Sequence, residues 1–468
     1  MTSTGPGHGA PTRSGQYEEL RRLHRTEVGD GILAHAKRLR WSKAQLQAER
    51  QTRLRHLVAW AVERSPFHAE RLGGIDPATV TEAQLPSLPV MTKDDLMSEF
   101  SSITTDRRLT LEVVEDHVTH VHDNDYLFGR FRTVTSSGSS GRRGVFVYDW
   151  DEWTTLALMQ SRARLGTADN RPRPPGSSTA SLFAGPGTHL SRVMRTFLAE
   201  PGDPIYHFPM TLPVTEVVRG LNAAQPDLLM GYPSALEVVV REAQEGRLKI
   251  APLYVESGGE LLMERTRDAV RQQWGVEIDD SWAVVEGAYA FSCAAGRPMH
   301  LPDDLVIIEP VDLDGRPVPP GQPAAKLYLT NLYNRTQPLI RLEIADGLTL
   351  VEDVCPCGSA HGRITDLTGR ADIVFEYENK LRVHPMILRL ALHDERLVTE
   401  YQVRQTARGA SVKIVTDRPE CVDDIRDLVV RTLRTAGLRD PEVTVAAVER
   451  LERLASGKLR QFIPRLGA

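Results

Sequence analysis

The chain has 468 residues, too many for one ordinary hydrophobic core, so two or three domains are expected. A hydrophobic content of 41%, a charged content of 25% and a net charge of −5 describe a globular chain and exclude the basic surplus of a nucleic-acid binder. No apolar run approaches the roughly 18 residues of a membrane span. The segment Met1 to Gln16, rich in Ser, Thr, Gly and Pro, lacks the apolar centre of a secretory signal, so residues 1–16 are expected to be a disordered leader and the protein cytoplasmic.

From Tyr17 to about Ser65 the pattern is helical, with a break expected at Gly29-Asp30-Gly31. Leu46, Leu54, Leu57, Val58 and Ala61 recur at the spacing of one helix face, and Pro66 closes the run. Thr92 is a good N-cap for a short helix that carries Asp94 and Asp95 in its first turn. Beyond residue 130, short apolar strands at 145–148, 181–184, 228–230 and 253–255 alternate with amphipathic helices at 153–164, 189–199, 234–245 and 262–274. That rhythm predicts an α/β sheet with helices on both faces. After residue 300 the strands 305–309 and 326–330, joined by the turn Asp312-Leu313-Asp314-Gly315 and a Pro-rich stretch, predict a β-rich subdomain. The expected fold class is α/β: a large N-terminal domain over 17–369 that includes the β-rich part, a hinge at 370–372, and a small mobile α+β domain over 373–468.

The run Thr133 to Gly144 holds Ser136, Ser137, Gly138, Ser139, Ser140 and Gly141, followed by Arg142 and Arg143. Its glycines let the backbone approach a ligand, successive N–H groups can cradle phosphate oxygens, and the arginines can add charge. The same composition also describes a flexible linker. The strand pattern that follows at once favours a phosphate loop, and the missing Gly-Lys-Ser/Thr ending excludes a Walker A loop.

With these residues in hand, the chain resembles the adenylate-forming superfamily of acyl-CoA synthetases and adenylation domains, and within it the phenylacetate–CoA ligase branch. The resemblance runs from about Leu88 to the C-terminus through several motifs in order. Ser257-Gly258-Gly259-Glu260 resembles the turn bordering the adenine site. The segment Asp280 to Gly287 resembles the family's Tyr-Gly-x-Thr-Glu segment. Thr330-Asn331-Leu332, Pro338-Leu339-Ile340-Arg341 and Asp346 resemble its central series. Arg363 and then Gly369-Arg370-Ala371-Asp372 resemble the arginine and hinge motifs, and Ser456-Gly457-Lys458 the C-terminal lysine loop. The resemblance implies ATP and Mg²⁺, with Glu286 as the metal's carboxylate ligand. It implies Trp282 stacked on adenine, Asp346 accepting from the ribose hydroxyls and Arg363 donating to ribose or phosphate. Lys458 would meet the charge developing between carboxylate and α-phosphate, with Arg142 as a further catalytic cation. Asp372 would be the hinge. Each of these residues, taken singly, also has an ordinary surface or turn role. Departures from the pattern are Arg142 for Lys, Ala283 for Gly, Val285 for Thr and Ala345 for Gly.

Cys293, His300, Cys355 and Cys357 form a set that would close a tetrahedral structural zinc site, as in some members of the branch; His361 is a competing fourth ligand and Cys421 stands apart. The alternative is that Cys293 is a buried small hydrophobe and Cys355 and Cys357 are free thiols. The acid pocket is expected near Tyr232, Ala283 and Val284. The resemblance implies an aromatic acid, activated as acyl-AMP and passed to coenzyme A, and it allows a homodimer. Transfer of the acyl group to an amine or hydroxyl of a small molecule is the alternative, in a protein without nucleic-acid or membrane partners. A non-catalytic nucleotide binder is a third possibility, against which Glu286, Asp346 and Lys458 count.

Overall fold

The computed structural model describes residues 13–465 apart from 121–124, 137–143, 166–175, 184–188, 200–201, 210–211, 294–297, 371–374, 378–380, 384–385, 394–397, 399, 417 and 454–458. Its first helix, Arg13–Ala36, begins inside the expected leader and passes through Gly29-Asp30-Gly31 unbroken. The break comes later, at the 3₁₀ turn Lys37–Arg40. Gly31 has a packing reason instead: a Cβ there would lie 3.2 Å from a Leu158 methyl, so its absence lets this helix press against the helix Trp150–Leu165. The next helix, Lys43–Arg64, buries Leu46, Leu54, Leu57, Val58 and Ala61, the face expected from their spacing. Ser42 caps it with a capping box, and Pro66 opens the following helix, Pro66–Leu72. Thr92 likewise caps Lys93–Ser98, with Asp95 completing the box.

Two strands, β1 (Arg132–Thr135) and β2 (Val145–Tyr148), form a separate antiparallel pair with all eight residues buried. The main sheet has ten strands. Its parallel half is built from β3 (Thr179–Leu182), β4 (Ile205–His207), β5 (Leu228–Gly231), β6 (Tyr254–Gly258) and β7 (Ile278–Val284), in the order β4-β3-β5-β6-β7. The expected alternation with helices is present, and crossover helices are what parallel neighbours require. The sheet continues antiparallel through β8 (Ala288–Ser292) and β9 (Met299–His300). A separate three-stranded sheet joins β10 (Val306–Val311), β12 (Lys326–Asn331) and β13 (Leu342–Ile344), whereas β11 (Pro323–Ala324), β14 (Asp346–Val351) and β15 (Arg363–Arg370) extend the main sheet. The β-rich part is therefore half independent and half a continuation of the large sheet.

The C-terminal segment has β16 (Phe375–Glu376) and β17 (Arg382–Val383), then β18 (Glu400–Gln405), β19 (Gly409–Val415), β20 (Glu442–Ala447) and β21 (Phe462–Ile463), with the last four in one sheet. The helix Val422–Thr435 buries Ile425, Val429 and Leu433 in a core shared only with residues between Phe375 and Phe462. The chain is thus mixed α/β with an α+β unit that has its own core. Among the described residues no helix is long and apolar enough to cross a membrane.

Candidate active site

The hairpin β1–β2 ends at Ser136 and Gly144. Ser136 donates its N–H to the Gly144 carbonyl (2.9 Å), and Gly144 returns its N–H to Ser136 Oγ (2.7 Å). The expected phosphate loop falls between these two strand ends in sequence; its residues Ser137, Gly138, Ser139, Ser140, Gly141 and Arg142 lie outside the described residues. One cation at its neck is not evident from the motif. Lys93 Nζ donates to Ser136 Oγ at 3.2 Å, and Lys93 Cε would crowd any Cβ at Gly144. A lysine at the first position of a helix faces the positive end of the helix dipole, and that mismatch is the one signal the sequence offers.

Glu286 sits in the turn between β7 and β8. Three buried side chains hold this turn by its carbonyls: Tyr148 O–H donates to Val285 (2.6 Å), Asn331 Nδ2 to Glu286 (2.9 Å) and Tyr333 O–H to Gly287 (2.9 Å). Gly287 has φ +108°, and a Cβ there would strike the Asn331 amide and the Tyr333 hydroxyl. Since Tyr148 is the last residue of β2, the Glu286 turn is bonded directly to one arm of the β1–β2 hairpin.

Along β7 the side chains alternate, with Trp282 and Val284 buried and Ala283 exposed. Trp282 Nε1 donates to Asp346 Oδ2 at 3.0 Å, so the expected adenine and ribose residues are joined, although the Trp282 ring is only 5% exposed. Arg363 is not beside them. The β14–β15 register sets Asp346 opposite Arg370 and Val351 opposite Arg363, so the two predicted ribose contacts stand at opposite ends of the hairpin. Arg363 instead donates to Asp353 Oδ1 (2.5 Å) and pairs along its backbone with His300. The position facing Asp346 is Arg370, which the motif places only in the hinge; two register shifts in β14–β15 hide that pairing from simple counting.

At the end of β6, a Cβ on Gly258 would meet Ser281 Oγ, and Gly259 has φ +79°. This turn aims Glu260 at two backbone donors: Ser234 N–H (3.1 Å), at the start of the helix Pro233–Gln244, and Leu459 N–H (3.2 Å). Arg453 also donates to Ser234 Oγ (3.0 Å). The C-terminal unit therefore meets the large one at Glu260 and Ser234. Lys458, adjacent to Leu459, and Asp372 lie outside the described residues. Of the expected pocket residues, Tyr232 is buried, its ring edge-on to Phe183 at 4.9 Å between centroids, and Val284 is buried too, leaving Ala283 open.

Cys293, His300, Cys355 and Cys357 come together with all four donor atoms within 4.8 Å of one another. Cys293 Sγ and Cys355 Sγ are 3.7 Å apart, and Cys357 Sγ is 3.3 Å from His300 Nε2. Tetrahedral bonds of about 2.3 Å to sulfur set sulfur atoms about 3.8 Å apart, so the donors fit zinc. Burial, aided by His361, Arg363 and Arg40, lowers the His300 pKa to about 4 and keeps the ring neutral, the form that binds metal. His361 is not the fourth ligand: it is fully buried, with its ring nitrogens on the Leu301 and Arg38 carbonyls and the Asp303 N–H. Cys421 stands apart in the C-terminal core.

No family model matches the chain. Phenylacetate–coenzyme A ligase of Thermus thermophilus is 24% identical to it over 403 residues, 81% of this chain and 83% of that protein. Protein CapK of Staphylococcus aureus is 19% identical over 68% of this chain and 66% of its own length. Among solved structures, 2-hydroxyisobutyryl-CoA ligase in the postadenylation state superposes with a TM-score of 0.69 at 19% identity, covering 91% of each chain. The chain thus shares the fold of that ligase, and its sequence is similar to that of a phenylacetate–coenzyme A ligase over most of both lengths.

Proposed function

We propose that the protein joins an aromatic carboxylic acid to coenzyme A through an acyl-adenylate. In the first step a carboxylate oxygen attacks the α-phosphorus of ATP, the bond to the bridging oxygen breaks, and pyrophosphate leaves. In the second the CoA thiolate attacks the acyl carbon and AMP leaves. The observation that supports this most is the bond from Tyr148, at the base of the phosphate hairpin, to Val285 beside Glu286. It ties the hairpin to the Glu286 turn, the arrangement that a phosphate cradle beside a metal's carboxylate ligand would need. Bound Mg²⁺ would offset charge on the triphosphate, with Glu286 as its ligand. Asp346, oriented by the Trp282 N–H, accepts from the ribose, and Arg363, at the opposite end of the hairpin, has no part there. Lys458, carried next to the Glu260–Leu459 contact, meets the carboxylate and α-phosphate. The aromatic acid is inferred from the relative's substrate. Ala283, the open position of β7, lines its site.

Pyrophosphate release with a panel of aromatic acids tests this reading. Release that needs ATP, Mg²⁺ and acid is expected; none with any acid would overturn it. Product masses with and without CoA then decide the acceptor. An amine or hydroxyl acceptor, the second reading, is favoured by Val285 and Ala283, which depart from the branch pattern beside Glu286. For the Cys293, His300, Cys355 and Cys357 cluster we propose structural zinc, which would staple β8–β9 to the 355–357 turn. Elemental analysis should find about one equivalent, because a closed site retains its ion; under about a tenth would remove the assignment.

A further inference from the structure

The hairpin that carries the phosphate loop has only two strands, so the outer edge of β2 has no strand partner among the described residues. Three of its outward backbone groups are nonetheless satisfied. Val147 N–H donates to Gln337 Oε1 (3.1 Å), Asn334 Nδ2 donates to the Val147 carbonyl (3.0 Å), and Gln337 Nε2 donates to the Val145 carbonyl (3.3 Å). Two side-chain amides thus stand in for a third strand, and both residues are fully buried. The segment that supplies them is itself fixed. Asn331 Oδ1 accepts from Tyr333 and Asn334 N–H, Asn334 Oδ1 accepts from Gln337 N–H, and Glu152 Oε1 accepts from Arg335 and Thr336 N–H. Glu152 Oε2 also accepts the Asp149 N–H, just beyond β2. At its other end the same segment holds the Glu286 turn through Asn331 and Tyr333.

We propose that residues 331–337 form a positioning latch that sets the phosphate hairpin against the Glu286 turn, with Gln337 and Asn334 as positioning residues for the binding of ATP and its metal. This rests on the reading that the hairpin tip takes the triphosphate and Glu286 the metal. A buried amide matches strand geometry in a way that no apolar side chain of the same size can, because it offers one acceptor and one donor to alternate outward groups of β2.

The test is steady-state kinetics of pyrophosphate release by Gln337→Met and Asn334→Asp, with ATP and acid varied separately. Gln337→Met keeps volume and removes both amide bonds to β2. Asn334→Asp keeps the acceptor for Gln337 N–H and removes the donor to Val147. For each, a rise of about tenfold or more in KM for ATP and in the Mg²⁺ needed for half-maximal rate is expected, with KM for the acid unchanged. Hydrogen exchange of the 145–148 peptide should quicken while that of 228–231 does not. A purely structural role would lower active enzyme and leave both KM values alone, and that result in a folded variant overturns the latch. If Gln337→Met does not fold, Asn334→Asp decides the same question; if neither folds, the two amides are fold determinants and the proposal falls. Wild-type protein without acid-dependent release would instead overturn the function on which the latch rests.

Discussion

The β14–β15 hairpin has two ends that do different work. At one end Asp346 meets the Trp282 indole and faces the backbone of Arg370; at the other Arg363 pairs with Asp353 and His300 and adjoins the Cys293, His300, Cys355 and Cys357 cluster. The six residues of β14, roughly 17 Å of strand, separate these two ends. Arg363 and Arg370 thus lie at opposite ends of the same strand. A rigid ladder can hold a half-buried carboxylate in place, so the Cys/His end can support the Asp346 end without sharing its chemistry.

The sharpest way to break this comparison is Asp346→Ala set beside Arg363→Gln. Loss of charge-assisted bonds worth about 1.5–3 kcal/mol each predicts a fall of about a hundredfold in kcat/KM for ATP in Asp346→Ala. Arg363→Gln should change KM for ATP by less than about twofold and lower the melting temperature instead. An equal loss in both variants would erase the distinction between the ends.

Cys355→Ser tests the staple. It should remove the metal found by elemental analysis and lower the melting temperature by about 5 °C or more, while KM for ATP in the remaining folded enzyme stays unchanged. A selective loss of ATP binding without destabilisation would place the cluster in the nucleotide site.

Asp280, two residues before Trp282 on β7, supplies a pH signature. Burial raises its pKa to about 6, against the bonds from Ser257 and Arg267 that favour the charged form. The folded-state value is above the unfolded one, so the folded state binds the proton more tightly. Stability should fall as pH rises from about 4 through 6, by on the order of 3 kcal/mol for a two-unit shift. Asp280→Asn, which keeps an acceptor for Ser257, should flatten that slope in urea titrations; an unchanged slope would assign it elsewhere. The smallest effect is expected from Trp282→Phe. Losing one N–H donor at about 1 kcal/mol should raise KM for ATP about fivefold with the fold intact, and no change would separate Trp282 from the nucleotide end.

Much of this is legible in the residues. The helix face Leu46, Leu54, Leu57, Val58 and Ala61, the Thr92 cap and the strand–helix alternation rest on local periodicity, and all are present. The cysteine and histidine set is legible because the chain has only four cysteines, and two of them flank a proline in one short turn with Gly358 next. Arg363 misleads because strand register, shifted twice along the hairpin, decides which residue faces Asp346, and register is not a property of one strand. Gly29 and Gly31 suggest a break because glycine weakens a helix in isolation, yet contact with Leu158 uses the missing side chain of Gly31. Lys93 reads only as part of the helix it starts, since its partner Ser136 lies 43 residues away.

From the residues alone come the mixed α/β class, the order of the motifs and the members of the Cys293, His300, Cys355 and Cys357 cluster, because each depends on residue type and local spacing. Only the tertiary structure decided which arginine faces Asp346, that Glu260 touches the segment beside Lys458, and that Asn334 and Gln337 complete the edge of β2. Those are pairings between distant segments, and they form where buried polar groups must find partners once the chain has closed around them.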